Sequence, residues 1–307
     1  MTGVTHLAPT RQKSANHGVL TPPLRDPMPP EFPEPRPDTP AIEFRSVSLS
    51  FDNVEALRNI SFSLQQGQMI VITGSSGSGK SVLLRLAIGL LRPDRGQILV
   101  EGQEIQNLEE KELLQIRRGL MGLVFQEDAL FSGMSTYDNA AYRLVERNYP
   151  DDQTEHMVRE ILRFVGLEEA MDKLPEELSG GMKRRLEIAR ALVGWPSIML
   201  FDEATAGLDP INARHILDLI IRARDLHGIS SLCVTKVTQE MLYLTSHSAY
   251  QDDLGGIQIR KADRSEGPET RVLLLDQGSI VFSGTPADFV SSTQPAVLRI
   301  AHPGRRR

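Results

Sequence analysis

Gly74-Ser75-Ser76-Gly77-Ser78-Gly79-Lys80-Ser81 is the stretch of sequence that decides the fold. It follows an apolar, β-branched run, Met69-Ile70-Val71-Ile72-Thr73, and precedes a segment with helical spacing of apolar residues, 82–88. A strand, a glycine-rich loop and a helix are the context that the G-x-x-x-x-G-K-S pattern of a phosphate-binding loop requires. The sequence therefore predicts the β-loop-α unit of a P-loop fold.

The residue types in this loop fit a triphosphate. Glycine lets backbone N–H groups approach phosphate oxygens closely, and the helix N-terminus adds partial positive charge. We expect Lys80 to reach the β- and γ-phosphates and the Ser81 hydroxyl to hold Mg²⁺. The alternative is a glycine-rich turn without a ligand, but the complete pattern with its flanks favours ATP. The residues expected to bind the nucleotide here are Gly74, Ser75, Ser76, Gly77, Ser78, Gly79, Lys80 and Ser81.

Composition excludes several classes of protein. The chain has 307 residues and a formal net charge of −6, which argues against nucleic acid as the main partner. No apolar run reaches the roughly 18 residues that a membrane span needs, and the first residues lack the pattern of a secretory signal. The single cysteine, Cys233, lies in an apolar run and is expected on a buried strand. We therefore expect a soluble chain in a reducing cytosol.

The chain divides into segments of different composition. Residues 1–40 contain ten of the nineteen prolines and are expected to form a disordered tail. Residues 41–292 alternate apolar strands with helices, which predicts an α/β domain with a mainly parallel sheet and an antiparallel β part at its N-terminus. Apolar residues at helical spacing predict helices at 137–145, at 151–165 and from Ser179 to about Val193, within an inserted helical lobe at about 127–192. A surface loop is expected at 250–270 and a C-terminal tail at 293–307.

An acidic pair follows the strand Ile198–Phe201. A buried strand would deliver Asp202 to its carboxyl end, where a carboxylate can orient ligands around Mg²⁺. Glu203, one residue on, could act as a general base on the attacking water. Adjacent acids alone are usually a solvated strand end, but downstream of a phosphate-binding loop the catalytic interpretation is favoured.

Leu178-Ser179-Gly180-Gly181 lies between these two motifs, and a helix with basic residues in its first turns follows it. Ser179 is a good helix N-cap. One interpretation is a capped helix with a solvated positive face. The other is a second phosphate-binding helix start, offered to the ATP of another molecule. The order of the motifs favours the second interpretation.

That order resembles the ATPase subunits of ATP-binding cassette (ABC) transporters, over residues 41–249 and 271–290. The resemblance implies an ATP-hydrolysing P-loop domain that closes on two Mg-ATP as a head-to-tail dimer and moves a membrane permease. Phe51 would stack on adenine, and Gln126 would sense Mg²⁺ and the permease. The residues implied to contact the ATP of the second copy, or to connect the two sites, are Ser179, Gly180, Gly181 and Asp209.

A finer resemblance points to lipid transport. Ser132-Gly133 stand where most import-type cassettes have Pro-His, and the Asp138-Asn139 pair with Met182-Lys183-Arg184-Arg185 looks like the cassettes of MCE-type lipid transport systems such as the Mla system. This implies an integral-membrane permease and an MCE-domain lipid-binding protein as partners, at the cytoplasmic face of the inner membrane. A cassette for another small solute would share every catalytic residue and stays an alternative.

One position departs from the family pattern. Thr235-Lys236-Val237 stands where the switch histidine is expected, and His247 lies beyond an intervening helix. We expect Lys236 to attract the γ-phosphate but to order the attacking water less well, because lysine offers only donors on a flexible, charged stem. A cassette that binds ATP and hydrolyses it slowly or not at all is therefore a further alternative.

Overall fold

A computed structural model describes residues 38–127, 129–252, 255–262 and 270–301. The strands are β1 (Ile42–Phe51), β2 (Val54–Leu64), β3 (Met69–Thr73), β4 (Arg95–Val100), β5 (Gln103–Glu104), β6 (Met121–Val124), β7 (Ile198–Asp202), β8 (Ser230–Val234), β9 (His247–Gln251), β10 (Ile257–Lys261), β11 (Thr270–Asp276) and β12 (Ser279–Gly284). The helices are α1 (Lys80–Ala87), α2 (Glu110–Leu120), α3 (Thr136–Glu146), α4 (Asp151–Val165), α5 (Gly180–Leu192), α6 (Pro210–His227), α7 (Thr238–Ser246), α8 (Pro286–Ser291) and α9 (Pro295–Ala301).

A six-stranded sheet in the order β12-β11-β3-β8-β7-β6 forms the centre of the fold. Its strands run parallel from β11 to β6, and the edge strand β12 is antiparallel to β11. Met69 and Val71 of β3 enter the core that holds the helices α3 to α7. Ile70 and Ile72 enter the opposite core, beneath β1 and α1. Burial on both faces explains why these strands are apolar throughout.

The antiparallel sheet β2-β1-β4-β5 confirms the expected N-terminal β part. Ile42, Phe44 and Val47 of β1 are buried, and the Phe44 ring stacks on Phe62 of β2 with 4.8 Å between ring centroids. The period-two pattern slips by one residue after Phe44. Ser46 has φ +51° there and the register shifts, so β1 contains a bulge that the alternation in the sequence did not predict.

Three helices follow β6, as the sequence predicts. The expectations of helices at 137–145, 151–165 and Ser179 to Val193 are confirmed to within a residue at each end. A capping box starts α3, in which Ser135 and Asp138 bond each other's backbone N–H groups. Gly166 in the left-handed conformation ends α4. The three helices pack on one another and bury their apolar faces in the core shared with β3 and β7.

The surface loop expected at 250–270 is in part a β-hairpin. β9 and β10 pair antiparallel from His247↔Lys261 to Gln251↔Ile257. Asp225 on α6 fixes the hairpin, because its Oδ2 accepts a hydrogen bond from Ala249 N at 2.7 Å. Ile257 and Ile259 alternate with polar residues, and this short period-two pattern was missed among the charged residues around it. Residues 253–254 and 263–269 lie outside the described part of the chain.

The expected C-terminal tail at 293–307 contains helix α9. Val297 is fully buried, and the Arg299 guanidinium lies 3.1 Å from the Asp276 carboxylate, so the packed part of the chain extends to residue 301. The rest of that tail, 302–307, and residues 1–37 of the expected N-terminal tail lie outside the described residues. Within the described ranges, no helix is long and apolar enough to cross a membrane.

Candidate functional site

The phosphate loop runs from β3 to α1 in a conformation that requires glycine. Gly74, Gly77 and Gly79 have φ values of +151°, +77° and +102°. A Cβ at Gly79 would lie 2.8 Å from the Ala56 carbonyl oxygen, and one at Gly74 would collide with the Leu275 carbonyl. Nothing lies within 4 Å of a Cβ built on Gly77. The loop is therefore pressed against β2 and β11 on one side and open at Gly77.

Lys80 starts α1 and carries its charge into the loop. The buried side chain donates from Nζ to the carbonyl oxygens of Gly74, at 3.0 Å, and Ser75, at 2.8 Å. Burial lowers the pKa of the Lys80 ammonium, whereas the charges of Glu203 and Asp202 raise it. The open loop thus surrounds an ammonium whose charge a phosphate anion would stabilise.

Asp202, at the end of β7, meets Ser81, at the start of α1. Ser81 Oγ donates to Asp202 Oδ1 at 3.0 Å. Burial raises the pKa of the Asp202 carboxyl, and the hydrogen bond from Ser81 lowers it. A partly desolvated carboxylate beside a hydroxyl is a donor set that suits Mg²⁺. The described residues contain no cluster of three or more His, Cys, Asp and Glu side chains, so phosphate oxygens and water would have to complete such a site.

Glu203 follows Asp202 in a left-handed conformation, with φ +45°. Its N–H donates to the Val234 carbonyl of β8 at 3.0 Å, which fixes its backbone at the edge of the sheet. Lys236 Nζ lies 2.8 Å from Glu203 Oε2. The structure therefore brings Lys236 to the expected base, a contact that the sequence did not predict, and its attraction to the γ-phosphate stays a prediction.

A bridge through Glu240 connects the segments that carry these two residues. Thr205, two residues after Glu203, donates to Glu240 Oε1 at 2.6 Å, and Thr235 donates to Glu240 Oε2 at 2.6 Å. One carboxylate on α7 thus joins the chain after β7 to the chain after β8.

The two remaining residues expected at the nucleotide site are exposed. Gln126 lies just beyond β6, and Phe51 ends β1 with 45% of its surface accessible. The exposed ring is free to stack on a base. A tight turn with positive φ at Asp52 and Asn53 follows it and leads into β2.

The signature residues and Asp209 form a second group of contacts. Ser179 caps α5 by accepting a hydrogen bond from Met182 N at 3.3 Å. Gly180 faces open space, whereas a Cβ at Gly181 would collide with the Asn212 amide. Asn212 Nδ2 in turn donates to Asp209 Oδ2, and this hydrogen bond lowers the pKa of the Asp209 carboxyl. The structure thus joins the starts of α5 and α6 through Asn212.

Arg184 is a site residue that sequence reasoning missed. One of the two interpretations of this stretch placed it on a solvated basic face, but its side chain is only 6% exposed. It donates to Phe125 O and Ala204 O at 2.6 Å each and to Gln126 O at 3.1 Å. It is also paired with the buried Glu187 carboxylate. The spacing of Arg184 and Glu187, three residues apart on one helix, was the available signal.

Comparisons with known proteins agree with this geometry. Residues 57–206 match the family model described as ABC transporter. The chain is 36% identical over 272 residues to Protein TRIGALACTOSYLDIACYLGLYCEROL 3, chloroplastic, of Arabidopsis thaliana, covering 85% of this chain and 73% of that protein. It is 35% identical to the methionine import ATP-binding protein MetN of Leifsonia xyli, covering 84% of this chain and 69% of that protein.

Solved structures share the fold. The dimeric structure of MJ0796, a bacterial ABC transporter cassette, superposes with a TM-score of 0.65 at 25% identity, covering 80% of this chain and 98% of that one. The structure of cbiO1 from Clostridium perfringens, part of the transporter complex cbiONQ, has a TM-score of 0.70 at 24% identity and covers 87% of this chain and 97% of that one.

Replacing Arg184 tests whether its buried contacts hold the site together. Arg184→Met removes the cation that faces the buried Glu187 carboxylate, so we expect the free energy of unfolding to fall by about 3–5 kcal/mol. Arg159→Met is the matched control. It removes an exposed ion pair with Glu155 on α4 and should cost about 0.5 kcal/mol. Urea denaturation of both variants measures the difference, and equal losses would contradict the role assigned to Arg184.

Proposed function

This chain belongs to the ABC transporter family and is the ATPase subunit of such a transporter, and we propose that this transporter moves phospholipid or another lipid. The Ser81–Asp202 contact beside the open phosphate loop is the observation that best supports the catalytic part of the proposal. Residues from both halves of the sequence meet there as Mg-ATP hydrolysis requires. The transported substrate is argued separately below.

The residues at the sheet edge suit hydrolysis of ATP. Lys80 and the loop N–H groups would bind the phosphates. Mg²⁺, held by Ser81, Asp202 and Gln126, would neutralise charge on the phosphate oxygens. The oxygen of a water molecule bonds to the γ-phosphorus while the bond from that phosphorus to the β–γ bridging oxygen breaks. Glu203 would accept the proton of the water, and ADP and phosphate are the products.

A second copy of the chain is the proposed partner for ATP binding. The signature stretch Ser179–Gly181 starts a helix whose N-terminus is open at Gly180, as a phosphate contact requires. Asn212 connects this stretch to Asp209, so the residues expected to contact the second copy are already linked to one another within one chain. The solved structure of the bacterial ABC transporter cassette MJ0796, at 25% identity, is dimeric, which supports the same arrangement here.

Exposed apolar residues near Gln126 support a membrane permease as the other partner. Phe125 and Phe131 are about 40% exposed, at 43% and 39%. Asn139 is buried and donates from its side-chain amide to the carbonyl oxygens of Phe131 and Met134, both at 3.0 Å, which fixes the loop before α3. We propose that this surface receives the permease and holds the chain at the cytoplasmic face of the inner membrane.

Two observations favour a lipid as the transported substrate. Ser132-Gly133 and the Asp138-Asn139 pair occur in the segment proposed to contact the permease, in the pattern of the MCE-type lipid systems. The Arabidopsis relative carries the name of a galactolipid. An MCE-domain protein is the further partner that this proposal implies. The relatives named as methionine import proteins favour the second candidate, an importer of a small solute.

Variants of Glu203 and Lys80 separate chemistry from binding. Glu203→Gln removes the base but no phosphate contact, so we expect hydrolysis to fall by about 10²-fold or more with ATP affinity kept. Lys80→Ala removes a charge-assisted contact and should weaken ATP binding by about tenfold or more. Steady-state hydrolysis and calorimetric titration measure both. Parent-like hydrolysis by Glu203→Gln, or parent-like affinity of Lys80→Ala, would remove that residue from its role.

Purification of the tagged chain from its native membranes tests the lipid proposal. We expect a permease and an MCE-domain protein to copurify, with phospholipid in the complex. Phe131→Glu should lose the permease while its ATP affinity stays unchanged, because the new charge lies on the proposed contact surface. Val290→Glu, at an exposed position on α8, is the control and should keep the permease. Copurification of a small-solute receptor without an MCE-domain protein would support the importer instead.

A further inference from the structure

Lys236 forms an ion pair with the Glu203 carboxylate, the group that hydrolysis needs as its base. Lys236 Nζ lies 2.8 Å from Glu203 Oε2, and the two side chains are 52% and 14% exposed. We propose that Lys236 is a positioning residue that restrains Glu203: its ammonium holds the carboxylate in the resting subunit, and hydrolysis begins when the ammonium leaves. This inference rests on the proposed function, in which Glu203 is the base.

The backbones on both sides of the pair are fixed by the fold. Glu203 N–H donates to Val234 O at 3.0 Å, and Thr235 N–H donates to Ile72 O at 3.1 Å. Glu240 ties Thr235 to the segment that follows Glu203. The two α-carbons are therefore held in place, and the long, half-exposed lysine stem is the part that can move. The pairing is a consequence of strand register and can still be released by side-chain rotation.

The charge of Lys236 does not disappear at physiological pH. The hydrogen bond to Glu203 raises the pKa of Lys236, and the carboxylate charge raises it further. A histidine at this position could become neutral near pH 7 and release a carboxylate, whereas the lysine stays an ammonium. Release therefore requires a competing anion and not the loss of a proton.

The chemistry of the site indicates which anion competes. The Ser81–Asp202 contact brings Lys80 and the Lys236–Glu203 pair to one site, where the two ammonium groups repel each other. An anion placed between them would relieve that repulsion and attract both side chains. The terminal phosphate of ATP has this charge and would enter at the phosphate loop, whereas ADP lacks it. In the ATP-bound subunit Lys236 would thus divide between Glu203 and the terminal phosphate, and Glu203 would be available only where the ammonium has moved to the phosphate.

Removing the ammonium without changing the length of the side chain tests the restraint. Lys236→Met should raise kcat about fivefold, which corresponds to an ion pair of ~1 kcal/mol, and leave KM within twofold. Lys236→Arg keeps the charge and should stay at the parent rate. Lys111→Met, at an exposed position on α2, is the control for loss of a surface charge. A kcat for Lys236→Met at or below that of the parent would overturn the proposal.

Amine labelling gives a readout that does not depend on turnover. In the nucleotide-free protein, acetic anhydride should label Lys236 several-fold faster in Glu203→Gln than in the parent, because the carboxylate no longer stabilises the ammonium. Exposed Lys173 is the internal reference in the mass spectrum. Equal labelling of Lys236 in both proteins would show that the ion pair does not form in solution, which would overturn the proposal. Faster labelling together with parent-like hydrolysis by Glu203→Gln would instead contradict Glu203 as the base while the ion pair itself is kept.

Discussion

The alignment of three parallel strands determines where the chemistry of this protein can occur. β8 lies between β3 and β7, with Val234 opposite both Ile72 and Asp202. The chain leaves all three strands at the same edge of the sheet, so the phosphate loop, Glu203 and Lys236 emerge side by side. A slip of one residue in either pairing would turn these side chains to the other face. The Ser81–Asp202 hydrogen bond and the Lys236–Glu203 ion pair both depend on this register.

Buried polar side chains connect that edge to the helices. Arg184 joins α5 to the backbone that follows β6 and to the backbone that follows β7. Asn212 connects the start of α5 to the start of α6 in a similar way. A movement of α5 cannot leave Gln126 or Glu203 unaffected, because one guanidinium binds the backbone oxygens of both. This gives a physical route by which a permease contact near Gln126 could influence the nucleotide site.

Local patterns explain which features could be predicted from the sequence. The phosphate loop, the apolar strands and the acidic pair at the end of β7 each lie within about ten residues, and the structure has them where they were expected. The hairpin β9–β10 was missed because two isoleucines among charged residues give a weak alternating signal. The burial of Arg184 was not predicted because an arginine on a helix is usually solvated, and its burial depends on carbonyl groups 20 and about 60 residues away. The pairing of Lys236 with Glu203 depends on the order of strands in the sheet, which no local pattern contains.

The proposed dimer requires that one ATP be shared between the phosphate loop of one copy and the signature residues of another. Sedimentation velocity of the Glu203→Gln variant tests it most directly, because slow hydrolysis would preserve the complex. We expect a monomer without nucleotide or with ADP, a dimer with ATP and Mg²⁺, and loss of that dimer when Ser179→Arg is added at the signature. A monomer under all of these conditions, or a dimer that forms equally with ADP, would contradict the shared ATP site.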